Sequence, residues 1–223
     1  MVNQLVVLLH LCDSLFPIGS FAHSDGLEAA TSRGEIQSAS ELSGWMDVTL
    51  TEILRRVEAP ALARAWQATA EHRFDALAGL DDEVYALRPS STGRESTRAM
   101  GSRLLKTWQQ IRPCDAVERL LSSRDHLTLP VAFGVVAAAA AIPQRDALEG
   151  FCYTRLAAIV SAAMRLMPLG QRESHTLLAE RLSRVPGVVG EVLAGNGQLG
   201  AFTPVLDVMV MSQQYMESRL FKS

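Results

Sequence analysis

Apolar residues recur along nearly the whole chain at spacings of three and four, the rhythm of one buried helix face. Leu5, Leu8, Leu9 and Cys12 form the first such stripe, which ends at Asp13 before the turn-forming run Phe16-Pro17-Ile18-Gly19. A second short helix is expected over about 21–32, stopping at Gly34. Ser38 and Glu41 make an S-x-x-E capping box, in which each side chain satisfies backbone N–H groups of a first turn. Behind it, Leu42, Trp45, Met46, Leu50, Ile53, Leu54 and Val57 trace one face, and Pro60 is expected to break or restart the helix before Leu62 and Trp66 carry it on.

Further helices fit 73–87, 95–111 and 114–123. Pro130 should open a helix whose Ala137–Ala141 run permits close backbone approach, and Pro143 should open the longest one, with Leu148, Phe151, Cys152, Leu156, Ile159, Val160, Ala163 and Met167 keeping the rhythm. Helices over 171–184 and 187–194 precede a glycine-containing loop at 195–202. Thr203 as N-cap and Pro204 at the first helical position start a last helix running to about Arg219. No segment alternates convincingly as a strand, and there is no internal repeat. The pattern predicts a single-domain, all-α bundle of about nine to eleven helices spanning 1–223.

Composition sharpens this picture. With 223 residues, 48% hydrophobic and 20% charged, the chain is globular; only 6% is aromatic, so the core must rely on small aliphatic packing. A net charge of −3 argues against nucleic-acid binding. The charge is uneven: residues 1–90 carry 6 basic and 13 acidic side chains, whereas 91–125 carry 7 and 4. Of 21 basic residues, only Lys106 and Lys222 are lysine, and arginine's planar fork suits fixed contacts with carboxylates across an interface as well as a solvated surface. Three scattered cysteines, Cys12, Cys114 and Cys152, give no disulfide framework and suit a reducing cytoplasm. No positive charge precedes the apolar Leu5–Leu11 run, a poor signal peptide. The longest apolar stretch, Val131–Ile142, is 12 residues, short of the roughly 20 a membrane span needs.

Candidate chemistry is sparse. There is no phosphate-cradling G-x-x-x-x-G-K-[ST], no G-x-S-x-G and no H-E-x-x-H. His10 and Cys12, two residues apart, would point roughly 200° apart on a helix and so could not share an ion unaided. His23, His72, His126 and His175 stand singly. These absences favour a binding or scaffold protein over an enzyme, with no catalytic and no metal residue to assign.

Three ordered blocks carry a resemblance. The run Leu8-Leu9-His10-Leu11-Cys12-Asp13-Ser14-Leu15-Phe16-Pro17-Ile18-Gly19-Ser20-Phe21-Ala22-His23-Ser24-Asp25-Gly26-Leu27-Glu28 resembles the N-terminal signature of the urease accessory protein UreF family. His126, the run Pro130-Val131-Ala132-Phe133-Gly134 and the ending Arg165-Leu166-Met167-Pro168-Leu169-Gly170-Gln171 are similar to its R-L-x-P-[LF]-G-Q block, and Ser218-Arg219-Leu220-Phe221-Lys222-Ser223 to its terminal S-R-L-F-R-S. Gln213-Gln214 stand where that family usually carries His-Glu, Ser174-His175 occupy a region where it often has a second Gly-Gln, and Lys222 replaces an arginine.

The resemblance implies a dimeric, all-α, cytoplasmic nickel-insertion chaperone without enzymatic activity or cofactor. It would bridge UreD (also called UreH) and the GTPase UreG, regulate that GTPase and assist delivery of nickel to apo-urease, with nickel and GTP handled by the partners. The residues expected to bind partners are Phe21, His23, Ser24 and Glu28 near one end and Arg219, Leu220, Phe221 and Lys222 at the other, forming one composite surface. Leu220 and Phe221 lie between two cations near the terminus and need cover, from the chain's own core or, as the resemblance favours, from a partner. Arg165 would pair with a carboxylate and its helix's last carbonyls. Two alternatives stand beside this reading: a nickel carrier using His10, Cys12, His23 or His126, and a helical small-ligand protein or enzyme with a polar-lined pocket near 131–142.

Overall fold

In the computed structural model, the structure describes residues 3–124, 126–195 and 197–222; Met1 and Val2, and the Ser223 that closes the terminal motif, lie outside the described residues. The elements, in order, are α1 (Gln4–Leu11), a 3-10 turn (Ser20–Ala22), α2 (Leu27–Ser32), α3 (Ala39–Val48), a π-helical stretch (Thr49–Glu58), α4 (Ala59–Ala70), α5 (Ala76–Ala86), α6 (Ser91–Ile111), α7 (Asp115–Ser123), α8 (Leu129–Ala139), α9 (Gln144–Leu166), α10 (Gln171–Leu182), α11 (Val185–Ala194), α12 (Pro204–Ser212) and a closing 3-10 turn (Gln213–Tyr215). No strand occurs among the described residues. The chain is an all-α bundle.

The centre is α8. Every residue from Leu129 to Ala137 is buried, and a helix that is apolar all round can lie only inside a bundle. Its Pro130 sits in the first turn, where the missing N–H costs nothing. The close approach expected of the Ala137–Ala141 run occurs a turn earlier. A Cβ on Gly134 would lie 2.5 Å from the Leu62 carbonyl oxygen and 2.9 Å from the Ala65 methyl of α4. The alanine run itself leaves the helix at Ala139, and Ala141 adopts a positive φ of 55° in the following turn. Around this contact α4 and α6 flank α8, and α9 packs on α4 and α8.

The capping box forms: the Glu41 N–H donates to Ser38 Oγ (3.3 Å) and the Ser38 N–H to Glu41 Oε2 (2.9 Å). The helix it opens does not break at Pro60. It passes instead into the wider π turn, in which the Ala59 N–H bonds back to Leu54 O. Proline has no N–H to give the carbonyl four residues earlier and crowds it; that carbonyl, on Arg56, accepts the Gly200 N–H at 3.4 Å. Arg56 Nε in turn donates to Gly200 O at 2.9 Å, which pins the glycine-containing loop to the helix.

At the two ends the sequence pattern and the structure part. The helix expected over 21–32 is instead a 3-10 turn, an irregular stretch and the short α2. The last helix ends at Ser212 rather than near Arg219, and the described residues beyond Tyr215, 216–222, carry no helix. Gly134→Ala should destabilise the fold by about 1–3 kcal/mol, since the intruding methyl meets backbone that cannot rotate away; urea denaturation of both proteins measures it.

Candidate functional site

The segment 18–26, irregular apart from its one 3-10 turn, leaves several backbone polar groups without helical partners, and buried groups of that kind must find others. Side chains from distant elements supply them. Arg103 of α6 donates to Ile18 O (3.0 Å) and Arg165, at the end of α9, to Phe21 O (3.0 Å). The Lys222 N–H donates to Ala22 O at 2.7 Å. Arg165 is thus bound to a distant backbone carbonyl, in place of the carboxylate and the helix-end carbonyls expected of it; its guanidinium also stands 4.4 Å from the centre of the Phe221 ring.

The tightest junction surrounds Glu28. Its carboxylate accepts the backbone N–H groups of Leu220 and of Phe221, the latter at 3.1 Å. Gln213 Nε2 donates to the same carboxylate at 3.2 Å. The Gln213 carbonyl oxygen accepts from Ser24 Oγ and from the Gly26 N–H, both at 3.1 Å. The Glu28 N–H donates to Ser24 Oγ at 3.4 Å. Gly26 is required here: its φ is +87°, and a Cβ would lie 2.8 Å from the Val210 backbone nitrogen of α12. One amide at position 213 thus serves three partners, where a neutral imidazole offers one donor and one acceptor.

The two expected groups of residues do lie together, but not all face outward. Ser24, Glu28 and Phe221 are buried and bonded or packed within the chain. Phe221 is covered by the chain's own core; Leu220, 55% exposed, is not. Phe21 is 71% exposed, and Arg219 and Lys222 are also open to solvent. Half-buried His23 places Nδ1 3.2 Å from Ser96 Oγ. Burial holds its pKa below the ordinary histidine value, a shift that Asp25 opposes and Arg103, Arg155 and Lys222 reinforce.

Behind this surface lies an ion cluster that the helical pattern hints at only through one charged position on the apolar face of α9. Arg155 donates to Asp25 Oδ2 (2.5 Å) and through Nε to Glu58 Oε2 (3.0 Å), and Arg88 completes the cluster on Glu58. Glu58 is the last residue of the π stretch and is buried. Burial alone would raise the Asp25 pKa, but Arg155 and then Arg88 pull it down to about 2. Asp25 holds this place with a positive φ of 50°.

Elsewhere the arginines pair inside the chain. Arg98 meets Asp81 (3.2 Å) and Asp82 (3.1 Å) and stands 3.7 Å from the Tyr85 ring centre, while Arg124 meets Asp82 at 2.6 Å. In these pairs basic residues of 91–125 neutralise acidic residues of 1–90, which offsets part of the uneven charge along the chain.

Among the described residues, no three His, Cys, Asp or Glu side chains stand close enough to hold a metal ion. His10 packs edge-on to Phe16 with ring centres 5.3 Å apart. Burial pushes the Cys12 thiol up to about 12, and burial with the nearby Glu58 and Glu149 does the same to Cys152, so both are protonated at neutral pH. A groove of about 750 Å³ runs between α1 and α9, reaching His23, Arg165 and Phe221; of the 131–142 region only Phe133 lines it. No helix among the described residues is long and apolar enough to cross a membrane.

Comparison with known proteins agrees with the resemblance in the three sequence blocks. The family model for UreF matches residues 36–181. A urease accessory protein UreF from Cupriavidus taiwanensis is 32% identical over 230 aligned positions, covering 100% of this chain and 99% of its own. One from Actinobacillus pleuropneumoniae is 29% identical, covering 100% of both.

The Asp25 carboxylate binds its proton more weakly folded than unfolded. The stability it contributes is therefore fully present above about pH 4 and is lost as pH falls through 3.8 towards about 2. Arg155→Met should remove most of that acid-sensitive step and, by leaving Glu58 and Asp25 without their shared cation, cost about 3 kcal/mol at pH 7; urea midpoints measured from pH 2 to 7 read both.

Proposed function

The chain belongs to the UreF family of urease accessory proteins, and on that premise we propose that it is a non-catalytic scaffold of urease maturation. It bridges UreD/UreH and the GTPase UreG and regulates GTP-dependent delivery of nickel to apo-urease, working as a cytoplasmic homodimer. The partners handle nickel and nucleotide.

The observation that carries this reading is the union of the two chain ends. Segment 18–28 and the tail are fastened together in a way that leaves Phe21 and Leu220 exposed, with Arg219 and Lys222 also open to solvent. Apolar side chains held on a fixed backbone lose little freedom on binding, and a small apolar centre with a charged rim is how partner surfaces concentrate their affinity. Phe21 and Leu220 are then the anchors, Arg219 orients the partner, and Phe221, Ser24 and Glu28 act from beneath by holding the surface in shape.

Capture of the GTPase by the purified protein, with and without the UreD/UreH partner, tests this. Phe21→Ala and Leu220→Ala should each weaken capture about tenfold or more, and Arg219→Ala by less. Unchanged capture by all three variants, with the fold and oligomeric state intact, removes the docking assignment. Urease activation assayed with and without this chain then tests the wider role.

A further inference from the structure

We propose that the recess between the π stretch, α4 and α11 is a binding site for a small anion carrying two oxyanion groups, carboxylates or phosphates, held by Arg55, Arg56 and Arg64. The assignment does not depend on the docking reading, because among the described residues the recess shares no lining residue with the α1–α9 groove.

The recess measures about 320 Å³, a volume suited to a small molecule. Three arginines line it together with amide side chains such as Gln144 and Gln198, and among the described residues Glu191 is its single carboxylate. On a chain whose net charge is −3 this is a local inversion of sign. The π stretch helps to produce it. A regular helix turns by about 100° per residue and would set Arg56 and Arg64, eight residues apart, about 80° from each other and about 12 Å apart along the axis. The wider π turn rotates less at each step, so running it through to Glu58 brings Arg56 round towards the face of Arg64.

The guanidiniums are held in place by uncharged groups. Arg55 Nε donates to Thr51 O (3.0 Å), Arg56 Nε to Gly200 O (2.9 Å) and Arg64 Nη2 to Gly197 O. Carbonyl acceptors position a cation without neutralising it. The carboxylates nearby form only surface pairs, which contribute little: Arg55 Nη1 meets Glu191 at 3.0 Å, Arg56 Nη1 meets Glu52 at 3.3 Å, and Arg64 Nη1 stands 3.9 Å from Glu83. Arg55 Nη2, Arg56 Nη2 and Arg64 Nε bond to no acceptor among the described residues. A planar fork with an unused N–H is suited to a carboxylate or phosphate oxygen. Glu191, largely exposed, already sets a carboxylate on Arg55 and marks the place one group of the ligand would take. Arg64, further along the axis, would take the second.

The test is isothermal titration of the full purified chain, without partners, with pyrophosphate and separately with citrate, in about 150 mM salt to screen loose surface attraction. At least one of the two should bind at one site per chain and raise the thermal midpoint; which one binds distinguishes a phosphate ligand from a carboxylate. Arg55→Ala and Arg64→Ala should each weaken that binding about tenfold or more, and Arg33→Ala, on exposed surface outside the recess, should leave it unchanged. Glu191→Gln, which removes the competing carboxylate from Arg55, should tighten it about two- to fivefold. The proposal is overturned if neither anion binds at millimolar concentration, or if Arg55→Ala and Arg64→Ala both leave binding at the wild-type level. Capture of an oligoglutamate peptide by a chain that binds neither anion also overturns it, in favour of an acidic protein segment as the occupant. Should the arginine variants fail to fold, Glu191→Gln decides: tighter binding supports the site and unchanged binding overturns it.

Discussion

A stretch of chain with little regular structure cannot be buried unless something else bonds its peptide groups, and residues 18–26, with a single 3-10 turn at Ser20–Ala22, are such a stretch. Helices α6 and α9 and the tail region meet that demand through Arg103, Arg165, Gln213 and the Lys222 N–H, while Arg155 and the N–H groups of Leu220 and Phe221 hold the segment by its Asp25 and Glu28 carboxylates. The demand runs both ways. The tail has no helix of its own and takes its order from Glu28 and the Ala22 carbonyl, so each chain end is the other's template. The partner surface is a consequence of that mutual completion rather than a separate construction.

The bundle beneath supplies the rigidity this arrangement needs. Close contact of α4 and α8 at Gly134 fixes the central pair, and α9 packs along it, carrying Arg155 and Arg165 on one long helix. Arg155 ties the N-terminal segment to the π stretch, because it bonds Asp25 and Glu58 together. Burying such ions is costly, and their value lies less in stability than in fixing one arrangement out of many. Here the ion cluster fixes the positive-φ Asp25, and with it the direction in which the segment enters α2.

The helices are legible because their signals are local: spacing of apolar positions, the Ser38–Glu41 capping box, and prolines at the first turns of α8 and α12. The stretch at 49–60 is not, since Pro60 signals a break by local rules. Only the wide turn and the Gly200 N–H, from 144 residues further along the chain than Arg56, turn it into a continuation. The site is half legible. Family motifs mark both chain ends, yet point equally to exposed Leu220 and buried Phe221. Which of two adjacent apolar residues faces inward depends on Arg165 and the groove, and no local spacing encodes that. Arg155 gives one signal, a cation three residues after Cys152 and four before Ile159 on an apolar stripe.

The early end of the last helix follows from the same competition. Through Arg219 the sequence has no proline or glycine to stop it, so helix propensity alone would continue it. A continuing helix would turn the N–H groups of Leu220 and Phe221 back to carbonyls four residues earlier and leave the Glu28 carboxylate buried with one donor from Gln213. Ending the helix at Ser212 gives up several helical hydrogen bonds, each worth about 1 kcal/mol net, while satisfying a buried charge whose isolation would cost several times that. The demand of the buried carboxylate for donors thus opposes helix propensity at the place where the helix stops. The end of α12 and the place of the tail therefore go together with one side chain in α2, nearly two hundred residues away, which binds two of the N–H groups that no longer belong to a helix.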